Sequence, residues 1–99
     1  MTVEEFKATL QSTPPKVSPL LLALWHDARG DWEKAHTLAQ DVDDAAGAWV
    51  HAYLHRKEGD LGNAGYWYRR ANKPVATDPL DAEWTRIVST LLSRAGFSL

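Results

Sequence analysis

Histidine is the residue type in this chain with the clearest potential for chemistry. His51 and His55 are four positions apart, a spacing that lets two imidazoles on one helix reach a single metal ion. His26 precedes His55 by 29 positions and occupies the equivalent place in a repeated segment. If the two segments stack, His26 approaches the pair, and Asp27 or Glu58 can complete a coordination sphere. These residues define a candidate site for a metal or another small ligand.

A structural role is the alternative for these histidines, and the sequence favours it. His26 and His55 then fill an inner helix face and hydrogen-bond to a carbonyl or hydroxyl group, while His36 lies on the surface. No glutamate follows His51 directly, as the metalloprotease pattern requires. The chain also contains no cysteine, which excludes thiolate ligands, thiol chemistry and disulfides.

Patterns for other kinds of catalysis are weak. The sequence lacks a glycine-rich phosphate loop and a nucleophile elbow. The acidic run at 41–44 lacks the spacing and the central glycine of a calcium-binding loop. The basic residues at 69–73 suit the carboxyl end of a helix, where cations complement the helix dipole. We therefore expect a protein that is not an enzyme and that carries no cofactor.

Composition narrows the class of protein further. The chain has 99 residues, of which 44% are hydrophobic, and a net charge of −2 from 11 basic and 13 acidic residues. That charge disfavours nucleic acid as a ligand. The longest uninterrupted apolar run, residues 19–25, is too short to span a membrane, and the N-terminus lacks an export signal. We expect a single cytoplasmic domain over residues 1–99, with no nucleic acid or membrane partner.

Start and stop signals predict helices throughout, and hence an all-α fold. Thr2 and Glu5 form a capping-box pattern, and proline follows an N-cap residue at Ser18-Pro19 and Asp78-Pro79. Asp43 or Asp44 is the expected N-cap of a central helix. The predicted helices are 3–11, 19–29, 32–40, one from 43 or 44 to 58, 61–71 and 79–94.

A repeat with a constant offset of 29 positions organises the middle of the chain. It pairs small, histidine, glycine and aspartate positions: Ala23 with Ala52, His26 with His55, Gly30 with Gly59, Asp31 with Asp60, and Ala35 with Ala64. Glycine suits the end of one helix and aspartate the start of the next. The repeat therefore predicts two stacked helical hairpins, each turning at Gly-Asp.

The same residues resemble the tetratricopeptide repeat (TPR) family: a small residue in the first helix, Gly-Asp at the turn, then an aromatic or leucine, and alanine three positions on. Residues 64–71, AGYWYRRA, also resemble the related Sel1-like repeats. The resemblance implies a short α-solenoid with hairpins at about 18–41 and 43–72, an N-terminal helix, and a capping helix at about 79–95.

The resemblance further implies a concave surface, lined by the first helix of each hairpin, that binds a protein or peptide. Spacing alone places Trp49, Tyr53 and Arg56 on one helix face, and such a composition is typical of binding hot spots. A homodimer that pairs this surface with itself is an alternative, as is metal or small-ligand binding by His26, His51 and His55. The residues implied to bind a partner are Leu20, Leu24, Asp27, Trp49, Tyr53 and Arg56.

Overall fold

A computed structural model describes residues 1–96 of the chain, and this part contains six α-helices and no β-strand. The all-α prediction is confirmed. The last three residues of the expected 1–99 domain lie outside the described part. The helices are α1 (Val3–Ala8), α2 (Pro19–Ala28), α3 (Trp32–Gln40), α4 (Ala45–Glu58), α5 (Leu61–Ala71) and α6 (Leu80–Gly96), with a 3₁₀ turn (Thr9–Gln11) after α1.

Most side chains predicted to cap the helices do so. Asp78 is the exception, because α6 begins at Leu80 and the Asp78 carboxylate accepts hydrogen bonds from Arg86 instead. The Thr2 hydroxyl accepts a hydrogen bond from the Glu5 amide at 3.1 Å, and the Glu5 carboxylate accepts one from the Thr2 amide at 2.8 Å. For α4 the structure selects Asp44, whose Oδ1 accepts from the Gly47 amide at 2.8 Å. A Cβ at Gly47 would lie 1.9 Å from the Val42 carbonyl oxygen, so the turn before α4 requires glycine there.

Both Gly-Asp turns have the expected form. Gly30 and Gly59 have φ angles of 86° and 90°, in the left-handed region that glycine adopts without strain. Asp31 and Asp60 then cap α3 and α5 by accepting backbone hydrogen bonds with their side chains. The glycine ends one helix and the aspartate begins the next, so that α2 pairs with α3 and α4 with α5.

Small residues set the spacing of the paired helices. Ala23, Ala35, Ala52 and Ala64 are each at most 1% exposed, and α2 packs on α3, α4 on α5, and α3 on α4. Alanine at a crossing point lets two helix backbones come close while larger neighbours interdigitate around it. The four alanines are therefore packing positions, as the repeat predicts.

Helix α6 lies on the face that α2 and α4 share. Its main neighbours are α1, α2 and α4, and the Trp84 indole N–H donates to the Leu24 carbonyl oxygen at 3.1 Å. Phe6 of α1 is fully buried, with its ring 6.0 Å from that of Trp84. The C-terminal helix thus covers the inner face of the hairpins, whereas a capping helix was expected to cover the end of the stack.

A buried carboxylate fastens α6 in this position. Glu83 is 0% exposed and accepts hydrogen bonds from Arg56 at 2.8 Å and from the Tyr68 hydroxyl at 2.6 Å. The Arg56 guanidinium also donates to the Asp78 carbonyl oxygen, just before α6. One side chain of α6 therefore holds residues of both α4 and α5.

Glu83→Gln should destabilise the fold by about 3 kcal/mol, because it leaves the Arg56 guanidinium without its charged partner in a mostly buried site. Asp41→Asn, which neutralises an exposed acid at the end of α3, should change the free energy of unfolding by less than about 0.5 kcal/mol. Urea denaturation followed by circular dichroism measures both. Equal stability of the two variants would show that the Glu83 interactions contribute little.

Candidate functional site

Three histidines meet where α3 packs on α4. His36 comes from α3, and His51 and His55 come from successive turns of α4; one ring nitrogen from each lies within 4.8 Å of the others. The closest pair is His36 Nε2 and His51 Nε2, at 2.8 Å. His51 and His55 are buried and His36 is half-buried. The imidazoles thus form a compact cluster that joins the first hairpin to the second.

His26 is not part of this cluster. It is half-buried near the end of α2, and its ring packs edge-on against that of Trp25 at 5.1 Å. His36 was expected on the surface, but it is the third histidine of the cluster. The reason is that this face of α3 packs against α4. Trp32, His36 and Ala39 recur at helical spacing with Ala35, so an inward face of α3 could have been read from the sequence.

Two tryptophans enclose the histidine rings. Trp32 stacks on His36 with 4.8 Å between ring centres and 13° between ring planes, and Trp67 stacks on His51 at 4.0 Å and 15°. The Trp32 indole N–H donates to the Leu54 carbonyl oxygen at 2.8 Å. These contacts restrict rotation of the imidazoles, so that the cluster is held ready before any ligand arrives.

A carboxylate orients the third histidine. His55 Nδ1 lies 2.7 Å from Glu58 Oε1, and because a carboxylate only accepts hydrogen bonds, the proton sits on Nδ1. Nε2 of His55 is then the nitrogen with a free lone pair. Metal-binding histidines commonly have such a carboxylate on their other nitrogen, where it fixes the ring and makes it a better ligand.

Burial keeps the His51 imidazole neutral at physiological pH. It lowers the pKa of His51 from 6.5 to about 4, with further lowering by the neighbouring charges of His36 and His55. Burial also lowers the pKa of His36. A neutral imidazole is the form that binds a metal ion, since a proton would occupy the coordinating lone pair.

A cavity of about 220 Å³ adjoins the cluster. It is bounded by the C-terminal end of α3, the N-terminal half of α4 and the C-terminal half of α5. His51 and Trp67 line it together with Arg70, Asp43 and Asp44. Of the three histidines only His51 lines the cavity, so the cavity gives a small ligand a route to that ring.

The residues implied to bind a partner lie in the interior instead. Leu24, Trp49 and Tyr53 are 0%, 4% and 2% exposed, and α6 packs against the helices that carry them. Leu20 is buried as well. With only two hairpins, the chain's own C-terminal helix covers most of the face formed by α2 and α4.

The two charged members of that set have internal partners. Asp27 is 2% exposed and accepts hydrogen bonds from the Tyr53 hydroxyl at 3.2 Å and from Lys57 at 2.9 Å. Arg56 is bound to Glu83. These pairings explain why a charged residue is tolerated on each inner helix, and they were not evident from the spacing of either residue.

None of the described helices is long and apolar enough to cross a bilayer. Comparisons of the chain with protein families, with curated proteins and with solved structures find no match.

Stability should fall as the pH is lowered from about 6.5 to about 4. In this window the unfolded chain protonates His51 with a pKa near 6.5, whereas the folded chain resists protonation until about 4. Because the unfolded state binds more protons, acid favours unfolding, by up to about 1.4 kcal/mol per pH unit for one group.

Urea denaturation at several pH values in metal-free buffer measures this dependence. His51→Gln removes the titrating group and should flatten the slope relative to the unmodified protein. An unchanged slope would show that His51 titrates normally in the folded state.

Proposed function

We propose that this protein binds a divalent transition-metal ion through His36, His51 and His55. The observation that carries the proposal is the convergence of three imidazoles between packed helices, with a carboxylate behind one of them. Imidazole nitrogens favour zinc, copper and nickel over calcium and magnesium, which prefer oxygen ligands. We therefore expect zinc, copper or nickel at this site.

The dimensions of the cluster suit such an ion. Two nitrogens bound to one tetrahedral zinc ion at about 2.0–2.1 Å lie about 3.3 Å apart. The Nε2 atoms of His36 and His51 are 2.8 Å apart. One ring nitrogen from each of the three histidines lies within 4.8 Å of the other two. Small rotations of the rings would bring the three into coordination.

Binding at this place would join the two hairpins. His36 belongs to the first hairpin, while His51 and His55 belong to the second, so the ion would cross-link α3 and α4. A ligand that binds only the folded chain stabilises it. Three protein ligands also leave a fourth position of a tetrahedral ion for water or another small ligand.

The surrounding fold is, in our proposal, a divergent TPR-like pair of hairpins. The Gly-Asp turns and the four packing alanines support it. Binding of a protein or peptide through Trp49, Tyr53 and Arg56 stays a prediction, and it would require α6 to leave the inner face.

Zinc or nickel in excess should raise the melting temperature of the metal-stripped protein by roughly 10–20 °C, because ligand at 100 times its Kd contributes about 2.7 kcal/mol. His36→Ala and His51→Ala should abolish the rise. His26→Ala should retain it, since this histidine lies outside the cluster. The measurement is thermal unfolding by circular dichroism with and without metal.

Two results would contradict the proposal. One is the absence of a metal-dependent shift in the unmodified protein. The other is a shift that survives His36→Ala but is lost in His26→Ala, which would return the site to the residues expected from the repeat.

Glu58→Gln should weaken zinc binding by about 10- to 100-fold, because the carboxylate that fixes His55 is lost while the three coordinating rings remain. Glu33→Gln, at an exposed position of α3, is the matched control and should leave the affinity unchanged. Isothermal titration calorimetry measures both. Equal affinities for the two variants would remove Glu58 from the site.

A further inference from the structure

A second concave site lies where α1, α2, α4 and α6 meet. It is a cavity of about 460 Å³, a volume typical of sites for small organic ligands. The side chains that decide its chemistry are Lys7, Asp27, Tyr53, Lys57, Asp81 and Trp84. None of these residues belongs to the histidine cluster, so ligand binding in this cavity does not depend on metal binding by the histidines.

The inner wall of the cavity is a preorganised ion pair. The Asp27 carboxylate is buried, and it accepts from the Tyr53 hydroxyl with Oδ2 and from Lys57 Nζ with Oδ1, at 3.2 and 2.9 Å. Lys57 uses one of its three ammonium hydrogens in this contact, and 37% of its side chain is exposed. The ammonium group is thus held in place with donors left for a ligand.

The outer wall carries two further charges. Lys7 reaches over the Trp84 ring, with its Nζ 5.9 Å from the ring centre. Asp81, in the first turn of α6, is exposed. Burial and the neighbouring Asp27 raise the pKa of the Tyr53 phenol, and the negative charge of Asp81 adds to this effect. Within the described part of the chain, neither Lys7 nor Asp81 forms an ion pair.

The charges around the cavity limit its ligand. The formal charges of the two lysines and two aspartates sum to zero: Lys57 and Asp27 neutralise each other, and Lys7 and Asp81 supply one unpaired charge of each sign. The groups left to meet a ligand are two ammonium groups, one carboxylate and the indole of Trp84. A simple anion would face Asp81, and a simple cation would face both lysines; a neutral zwitterion satisfies both signs.

We propose that this cavity binds a small zwitterion of the amino-acid class with an apolar or aromatic side chain. Lys7 and Lys57 receive its carboxylate and Asp81 receives its ammonium group. Trp84 and Leu10, which also line the cavity, contact the side chain.

Calorimetric titration with L-phenylalanine as the probe tests the ligand class. We expect saturable binding of phenylalanine. N-acetylphenylalanine, which lacks the ammonium group, and phenylalaninamide, which lacks the carboxylate, should each bind at least about tenfold more weakly, the loss of one charged contact being worth about a factor of ten. No saturable binding of phenylalanine, or equal binding of either blocked compound, would overturn the proposal.

Variants assign each charge to its partner. Lys7→Gln should weaken binding of phenylalanine but leave that of phenylalaninamide unchanged, and Lys7→Arg should restore it. Asp81→Asn should weaken binding of phenylalanine but leave that of N-acetylphenylalanine unchanged. Lys34→Gln, on the exposed face of α3, should have no effect.

Lys7 and Asp81 are both exposed, so the folded state should survive their substitution, and circular dichroism checks this. If phenylalanine binds both folded variants as tightly as it binds the unmodified protein, the ligand is held elsewhere and the cavity is not its site.

Discussion

The buried carboxylate of Glu83 constrains the whole arrangement of helices. A carboxylate without exposure to water is costly unless charged and hydrogen-bonding partners surround it, and here Arg56 and Tyr68 supply them from α4 and α5. These contacts are met only when α6 lies across the hairpins. The inner face of α2 and α4 then becomes the core of the domain, closed by Trp84 on one side.

Closure of that face determines where ligands can bind. The side chains on that face make internal contacts: Trp49 and Tyr53 are buried, and Arg56 forms an ion pair with Glu83. The two cavities considered for ligands lie beside the inner face. One place is the junction of α3 with α4, and the other is the cavity between α1, α2, α4 and α6.

The sequence predicts the local structure well because that structure depends on near neighbours. Thr2, Asp31 and Asp60 cap helices within three residues of themselves, and Gly30 and Gly59 act through their own φ angles. The site depends instead on how helices pack. The repeat aligns His26 with His55, yet the face of α4 that carries His55 meets α3, so His36 is the third histidine. Nothing local to Glu83 indicates its burial either.

Helix α4 carries residues of both proposed sites. Residues 47–55 are all buried, so this helix has neighbours on every side. His51 and Tyr53 are two positions apart, as are His55 and Lys57, and two positions on a helix correspond to a rotation of about 200°. The histidines therefore face α3 and α5 while Tyr53 and Lys57 face the cavity. Helix α4 thus contributes residues both to the histidine cluster and to the cavity. The packing that holds the imidazoles in position therefore also holds the Lys57 ammonium group beside Asp27.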